Sequence, residues 1–157
     1  FVTAKRTPWL ATNASRSAVI GALRDWHAEA DGGVLAATVM PEHVHVMFTL
    51  GTRLDVGRCV SRWKSQARKR AGYAGDWQRD FWEHRVRADE SQENYALYTF
   101  LNPYRARLLR CDATWAGTWI PDPGRFRFAA SLGPNGSPPR EWLAWPDSKF
   151  DGLATGE

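Results

Sequence analysis

Only two cysteines occur in the 157 residues, Cys59 and Cys111. They are too far apart for the CxxC spacing of a zinc ribbon or redox pair, and too few for a disulfide framework. They are expected as free, partly buried thiols in a reducing compartment. Apolar runs are short as well. None approaches the ~20 residues that a membrane-spanning helix needs, and no secretory leader is visible. A stapled secreted domain and a helical membrane protein are thereby excluded, and a cytoplasmic chain with no membrane partner is expected. The chain opens at Phe1 rather than at a methionine, so further residues are expected ahead of it. Histidine is scarce too, with four in all.

What the chain has in excess is tryptophan, nine residues of it. Trp63, Trp77 and Trp82 fall in basic, polar stretches, where a flat ring either fills a core or stacks on an unpaired base. The charge is uneven. From Arg53 to Arg87 ten Lys/Arg stand against four acids, whereas the whole chain carries a net charge of only +4. From Ser131 to Glu157 two bases face four acids. A basic middle and an acidic end point to a polyanion as the partner of the middle.

The spacing of apolar residues and turn signals predicts the order β-α-β-β-α-β-α. A short strand opens the chain at residues 1–5, and a helix capped by Asn13 or Ser15 runs to Glu29. Strands at 34–39 and 43–50 form a hairpin around Pro41. A second helix spans 54–71 with Val56, Val60, Trp63 and Ala67 on one face, and a further strand spans 77–87. A third helix begins at Asp89 or Ser91, where Asp89 and Gln92 resemble a capping box. It breaks or kinks at Pro103 and resumes to 110, with Leu97, Leu101, Tyr104 and Leu108 on its apolar stripe. This order predicts an α+β fold, a ferredoxin-like antiparallel sheet with helices on one face and a C-terminal extension. Residues 1–130 read as one domain, and 131–157 as a Pro/Gly linker and tail.

Two segments carry candidate chemistry. In Met40-Pro-Glu-His-Val-His-Val-Met-Phe48, strand alternation puts His43 and His45 on one face with Cα atoms about 6.6–6.8 Å apart. Imidazoles so placed can converge on one divalent ion, while Val44, Val46 and Phe48 anchor the opposite face in the core. A hydrogen-bonded or surface pair of histidines is the other use of the pattern. On the third helix Tyr98 and Asn102 lie one turn apart, about 100–140° from the apolar stripe, with Asn94 and Arg105 nearby. A phenol beside an amide and a guanidinium is suited to attack on a phosphate.

Taken together these segments resemble the single-tyrosine transposases with a His-hydrophobe-His motif. The closer likeness is to the REP-associated (repetitive-palindrome-associated) tyrosine transposases of bacteria. The likeness runs from Phe1 to about Ile120. It rests on Val39-Met-Pro-Glu-His-Val-His45, the basic helix with Trp63-Lys64-Ser65, the segment Phe81-Trp82-Glu-His84-Arg85-Val-Arg87 after Trp77, and Tyr98-x3-Asn102-Pro103-x-Arg105-Ala106. It implies that His43 and His45 ligate a divalent metal, Mg²⁺ or Mn²⁺, and that Asn102 supplies a third ligand, with helix capping ahead of Pro103 as its rival role. It further implies that Tyr98 is the nucleophile that joins the 5′ phosphate of single-stranded DNA and leaves a free 3′ hydroxyl. Tyr95 and Tyr104 compete for that role; Tyr95 lacks an Asn one turn later and Tyr104 sits on the apolar stripe.

The implied substrate is a DNA hairpin with adjoining single strands, placing the protein at the nucleoid. Arg58, Arg62, Lys64, Arg68, Lys69 and Arg70 on the second helix, with Arg85, Arg87 and Arg105, are the candidate DNA contacts. His84 is expected to face DNA or to brace a metal ligand. The chain continues past the tyrosine helix further than the simplest such transposases, so a monomer is expected rather than a dimer, its tail gating the DNA groove. The rival reading is a hairpin-binding regulator that no longer cuts. A metallohydrolase unrelated to DNA would leave the basic helix and the Tyr98–Asn102 pair unused.

Overall fold

The computed structural model describes residues 1–150. Three helices, α1 (Asn13–Ala28), α2 (Val56–Arg70) and α3 (Gln92–Arg105), surround a sheet of β1 (Gly32–Val39), β2 (Val44–Leu50) and β3 (Thr118–Trp119), with short 3₁₀ turns elsewhere. The sheet order is β2-β1-β3, all antiparallel. The α+β class and its antiparallel sheet are as expected. Among the described residues no helix is long and apolar enough to cross a membrane.

Each helix starts at a side-chain cap. Thr12 Oγ1 accepts from Ser15 N at 3.1 Å, Asp55 Oδ1 from Arg58 N at 2.8 Å and Ser91 Oγ from Asn94 N at 3.2 Å. These are the orphan N–H groups that every helix start leaves open. The cap of α1 is therefore Thr12, one residue ahead of the earliest candidate, and Ser91 rather than Asp89 starts α3. After α1 the chain reverses through Ala30 and Gly32, whose φ values are 57° and 101°. A Cβ on Gly32 would meet Thr49 O at 2.5 Å, so only glycine fits this close approach.

The hairpin forms as expected, with Thr38 opposite His45 and Val39 opposite Val44, and an irregularity between Val34 and Ala36. The alternation of β2 divides the interior in two. Val44, Val46 and Phe48 join α1 and α2 in one core, where Trp63, 1% exposed, lies against Trp26 and Phe48 with ring centres 5.0 and 4.9 Å away. Met47 and Ala36 face the other way, into a second core with Leu97, Leu101 and Tyr104 of α3. The expectation of helices on one face thus holds for α1 and α2, while α3 takes the opposite face. Phe126, Phe128, Trp142 and Phe150 complete that second core. The Pro/Gly stretch expected as a linker is folded, with Gly133 N donating to Ser137 O at 2.8 Å. Residues 151–157 of the expected tail lie outside the described residues.

Several expected elements differ. The opening strand is reduced to two bridges, Val2 with His43 and Thr3 with Trp77, because residues 4–6 turn at once, Lys5 and Arg6 having φ near 50°. The strand expected at 77–87 forms only its first bridge. Lys64 is the reason: its buried ammonium donates to the carbonyls of Gln78, Arg79 and Asp80 at 2.7, 3.3 and 3.4 Å, taking acceptors that a ladder would use. Trp77 Nε1 donates back to Lys64 O at 2.9 Å. The third helix runs unbroken through Pro103 and ends at Arg105, so Leu108 leaves the stripe and is 41% exposed. The edge strand β3 was not expected; Trp115 Nε1 pins it by donating to Val39 O at 2.9 Å.

Lys64→Met keeps the aliphatic stem but leaves those carbonyls without their donor. The substitution is expected to lower unfolding stability by about 1–3 kcal/mol in urea denaturation. Lys69→Met, on the exposed side of the same helix, should stay within about 0.5 kcal/mol of the parent.

Candidate active site

The site forms where the start of β2 faces the middle of α3. His43, bridged to Val2 just ahead of β2, and His45 on the strand lie two residues apart, with Val44 between them buried in the first core. Their Nε2 atoms come within 3.0 Å and their ring planes cross at 82°. Across from them, the Tyr98 ring centre is 6.1 Å from that of His45, with the rings perpendicular. One turn further along α3, Asn102 Nδ2 donates to Tyr98 O at 3.3 Å. Phe150 packs against another side of the Tyr98 ring, 5.7 Å away, and Tyr98 stays partly exposed. Arg105 lies over the same Phe150 ring at 5.0 Å, and its Nη1 donates to Trp145 O at 3.4 Å.

Burial sets the protonation of the pair. It pushes the His45 imidazole down to about 3, with the nearby His43 adding to the effect, and it lowers His43 as well. At neutral pH both rings are uncharged, the form that offers a lone pair to a metal. Two cis ligands of an octahedral ion with bonds of about 2.1 Å stand about 3.0 Å apart, which is the Nε2 separation found. Among the described residues no group of three or more His, Cys, Asp or Glu gathers at any point. The imidazole pair alone would make a sparse site, its remaining ligands oxygens from water and phosphate. His43 Nδ1 is buried without a protein partner.

The three tyrosines of α3 differ in what their hydroxyls do. Tyr95 donates to Glu90 Oε1 at 3.0 Å and is pushed up to about 12, by burial first and then by that carboxylate. Tyr104 donates to Ala113 O at 2.8 Å and is raised by burial. Tyr98 is the tyrosine beside the histidines. His84 is not at the imidazole pair; its Nε2 meets both Glu90 oxygens, at 2.9 and 3.1 Å.

The basic residues divide by face. Those of α2 belong to the helix on the far side of the sheet from α3. Arg62 pairs with Glu29, Arg70 with Asp25, and Arg68 with Asp76 at 3.0 Å, while Arg58 lies 3.6 Å from Asp55. Lys64 is turned inward, and Lys69 is exposed. Arg85 and Arg87, also exposed, lie on the segment leading into α3, whose last turn carries Arg105. The Glu90 cluster was missed from the sequence; the tail expected at the groove packs Trp145 and Phe150 against the α3 core, though the part Phe150 plays there was not foreseen. An acid immediately ahead of a helix cap and a Trp/Phe-rich end were the available signals.

The model of a protein family described as IS200-like transposases matches residues 1–99. The chain belongs to that family. The matched stretch holds His43, His45 and Tyr98; Asn102, Arg105 and the aromatic cover of this IS200-like transposase lie beyond it. A solved structure described as a REP-associated tyrosine transposase bound to a REP hairpin is similar, with a TM-score of 0.62 and 23% identity. The likeness covers 99% of this chain and 86% of the other, so the shared fold includes the residues after α3. No curated protein matches the chain.

The depressed His45 sets a pH dependence. Unfolded, its imidazole takes a proton as pH falls through about 6.5; folded, it does so only near 3. The unfolded state therefore binds more protons across that window, and stability should fall as pH drops from about 6.5 to 3, then level off. In metal-free protein the loss assigned to His45 is on the order of a few kcal/mol by denaturant melts, and His45→Asn should flatten that part of the profile. An NMR titration placing His45 near its ordinary value would contradict the assignment.

Proposed function

We propose that the chain is a metal-dependent single-strand DNA endonuclease and transposase that cuts and rejoins DNA beside hairpins through a covalent 5′-phosphotyrosine at Tyr98. The observation that carries the reading is the Tyr98 ring 6.1 Å from His45, whose Nε2 lies 3.0 Å from that of His43, in an IS200-like transposase. The hairpin is taken from the similar solved structure, whose description has it bound to a REP hairpin.

The residues divide the work as follows. The Tyr98 hydroxyl gives up its proton to solvent, and its oxygen attacks the scissile phosphorus. The bond from phosphorus to the 3′ oxygen breaks, and that oxygen takes up a proton to leave a 3′ hydroxyl. The 5′ phosphate stays on Tyr98 until a 3′ hydroxyl attacks it and expels the phenol, rejoining DNA without a nucleotide cofactor. A phenol of ordinary pKa near 10 is a weak nucleophile at neutral pH. Mg²⁺ or Mn²⁺ held by His43, His45 and Asn102 would polarise the phosphate and offset the developing charge. Arg85 and Arg87 ahead of α3 and Arg105 in its last turn would hold the strand's phosphates, and the α2 arginines would serve a duplex that reaches the far side of the sheet. Because α3 packs on its own sheet and is covered by residues of the same chain, the site needs no second subunit, which supports a monomer.

Phe150 against Tyr98 favours a second reading, a hairpin-binding protein whose nucleophile stays covered. One gel separates the two. With Mn²⁺ and a labelled panel of hairpins carrying single-stranded arms, a denaturation-resistant protein–DNA band is expected. Tyr98→Phe and EDTA should abolish it, and His43→Ala or His45→Ala should reduce it about a hundredfold or more. Binding with no covalent band on any hairpin would leave the covered, non-cutting reading.

A further inference from the structure

Of the three tryptophans in the basic middle of the chain, Trp63 is buried and Trp77 is half-buried in the first core. Trp82 is different: it is 51% exposed on a segment that packs little of itself inward. Its ring is also not loose. It lies 6.0 Å from His84 with planes 8° apart, and His84 lies 5.4 Å from Tyr95 with planes 20° apart. Trp82, His84 and Tyr95 thus form a column of near-parallel rings rising from α3, with one face of the outermost ring open.

The column is held by one carboxylate. Glu90 accepts from His84 Nε2 at 2.9 and 3.1 Å, from the Tyr95 hydroxyl at 3.0 Å and from Arg87 N at 2.6 Å. These donors, Arg87 N first, hold its carboxyl below the usual range, so it stays charged and keeps accepting. A flat ring fixed in advance adds a stacking partner at little entropic cost. The exposed Arg79, Arg85 and Arg87 share this segment, which suits a phosphate backbone running past the ring. Tyr95 is three residues before Tyr98, so the column stands one helical turn from the proposed nucleophile.

We propose that the open face of Trp82 is a stacking platform for one unpaired nucleobase of the DNA strand that Tyr98 engages. The platform rests on the DNA reading above and adds to it a site that selects single-stranded over paired nucleotides. A base held in a duplex has its faces covered by its neighbours, whereas an unpaired one offers a face to the indole. The stack reads flatness rather than hydrogen-bonding edges, so it favours an unpaired base of any identity and sets where the strand lies relative to Tyr98.

The test walks a 2-aminopurine, and separately a single abasic site, along the unpaired arm of a hairpin oligonucleotide that the wild type binds. Wild-type protein should quench the probe at one position, and an abasic site there should weaken binding about 5- to 100-fold. Trp82→Ala should lose both effects, binding intact DNA as weakly as the wild type binds the abasic strand, while Trp82→Phe keeps most of the affinity. Equal thermal melting of the variants shows that the fold is intact. Trp82→Ala binding intact DNA like the wild type overturns the platform, as does an equal loss on intact and abasic DNA. If the wild type binds no hairpin or single strand even at low salt, the DNA reading itself fails, and the platform with it.

Discussion

The two-residue alternation of β2 places almost everything else. Val44, Val46 and Phe48 commit one face of the strand to the core under α1 and α2. That commitment turns His43, His45 and Met47 to the other face, where α3 closes over them. A slip of one residue in the pairing with β1 would bury both imidazoles against Trp26 and Trp63 and leave the valines and Phe48 facing Tyr98. Such a slip flips every side chain at once. The large aromatic core around Trp63 therefore guards the register of the histidines, although it lies across the sheet from them.

The basic charge of the middle segment is spent partly on structure. Lys64 is the clearest case: its ammonium holds three successive carbonyls and steers residues 77–87 off the sheet edge toward α3. Arg62 and Arg70 tie α2 to acids on or just after α1. Exposed pairs of this kind contribute little stability and open readily to a phosphate, so they can serve both uses. Lys64 cannot, since its ammonium is turned inward onto those three carbonyls.

Much of this was legible in the sequence, and the failures have physical causes. Periodicity and capping residues placed α1, α2, the hairpin and the start of α3, because local geometry decides those elements. His43 and His45 were visible as a pair because strand alternation is a local rule, and Tyr98 with Asn102 because helical spacing is another. The strand at 77–87 failed because its β-prone composition was overruled by a tertiary contact from Lys64. β3 is two residues long and owes its place to a hydrogen bond from Trp115 to Val39, a contact remote in sequence. The position of α3 on the opposite face depends on Phe126, Phe128 and Trp142, whose partners no local pattern names. Proline at 103 cost less than expected, since it lies near the end of α3 where only one ladder bond is lost.

Two neutral imidazoles are an economical choice for a site that must act on a polyanion. Carboxylates in their place would bind a divalent ion more tightly, but they would cancel its charge and repel the incoming phosphate. Burial that keeps His43 and His45 uncharged also keeps a proton from occupying the site. On the proposed reading, an ion held by this pair retains nearly its full charge for the scissile phosphate. On the same reading its affinity would be weak, because imidazole nitrogen is a softer donor than Mg²⁺ prefers and the chain would add at most the Asn102 oxygen. The DNA must then complete the coordination that its own cleavage requires. Phe150 packs against the Tyr98 ring on the other side, while Tyr98 itself stays partly exposed. On that reading, weak metal binding makes cutting conditional on a strand that is already bound.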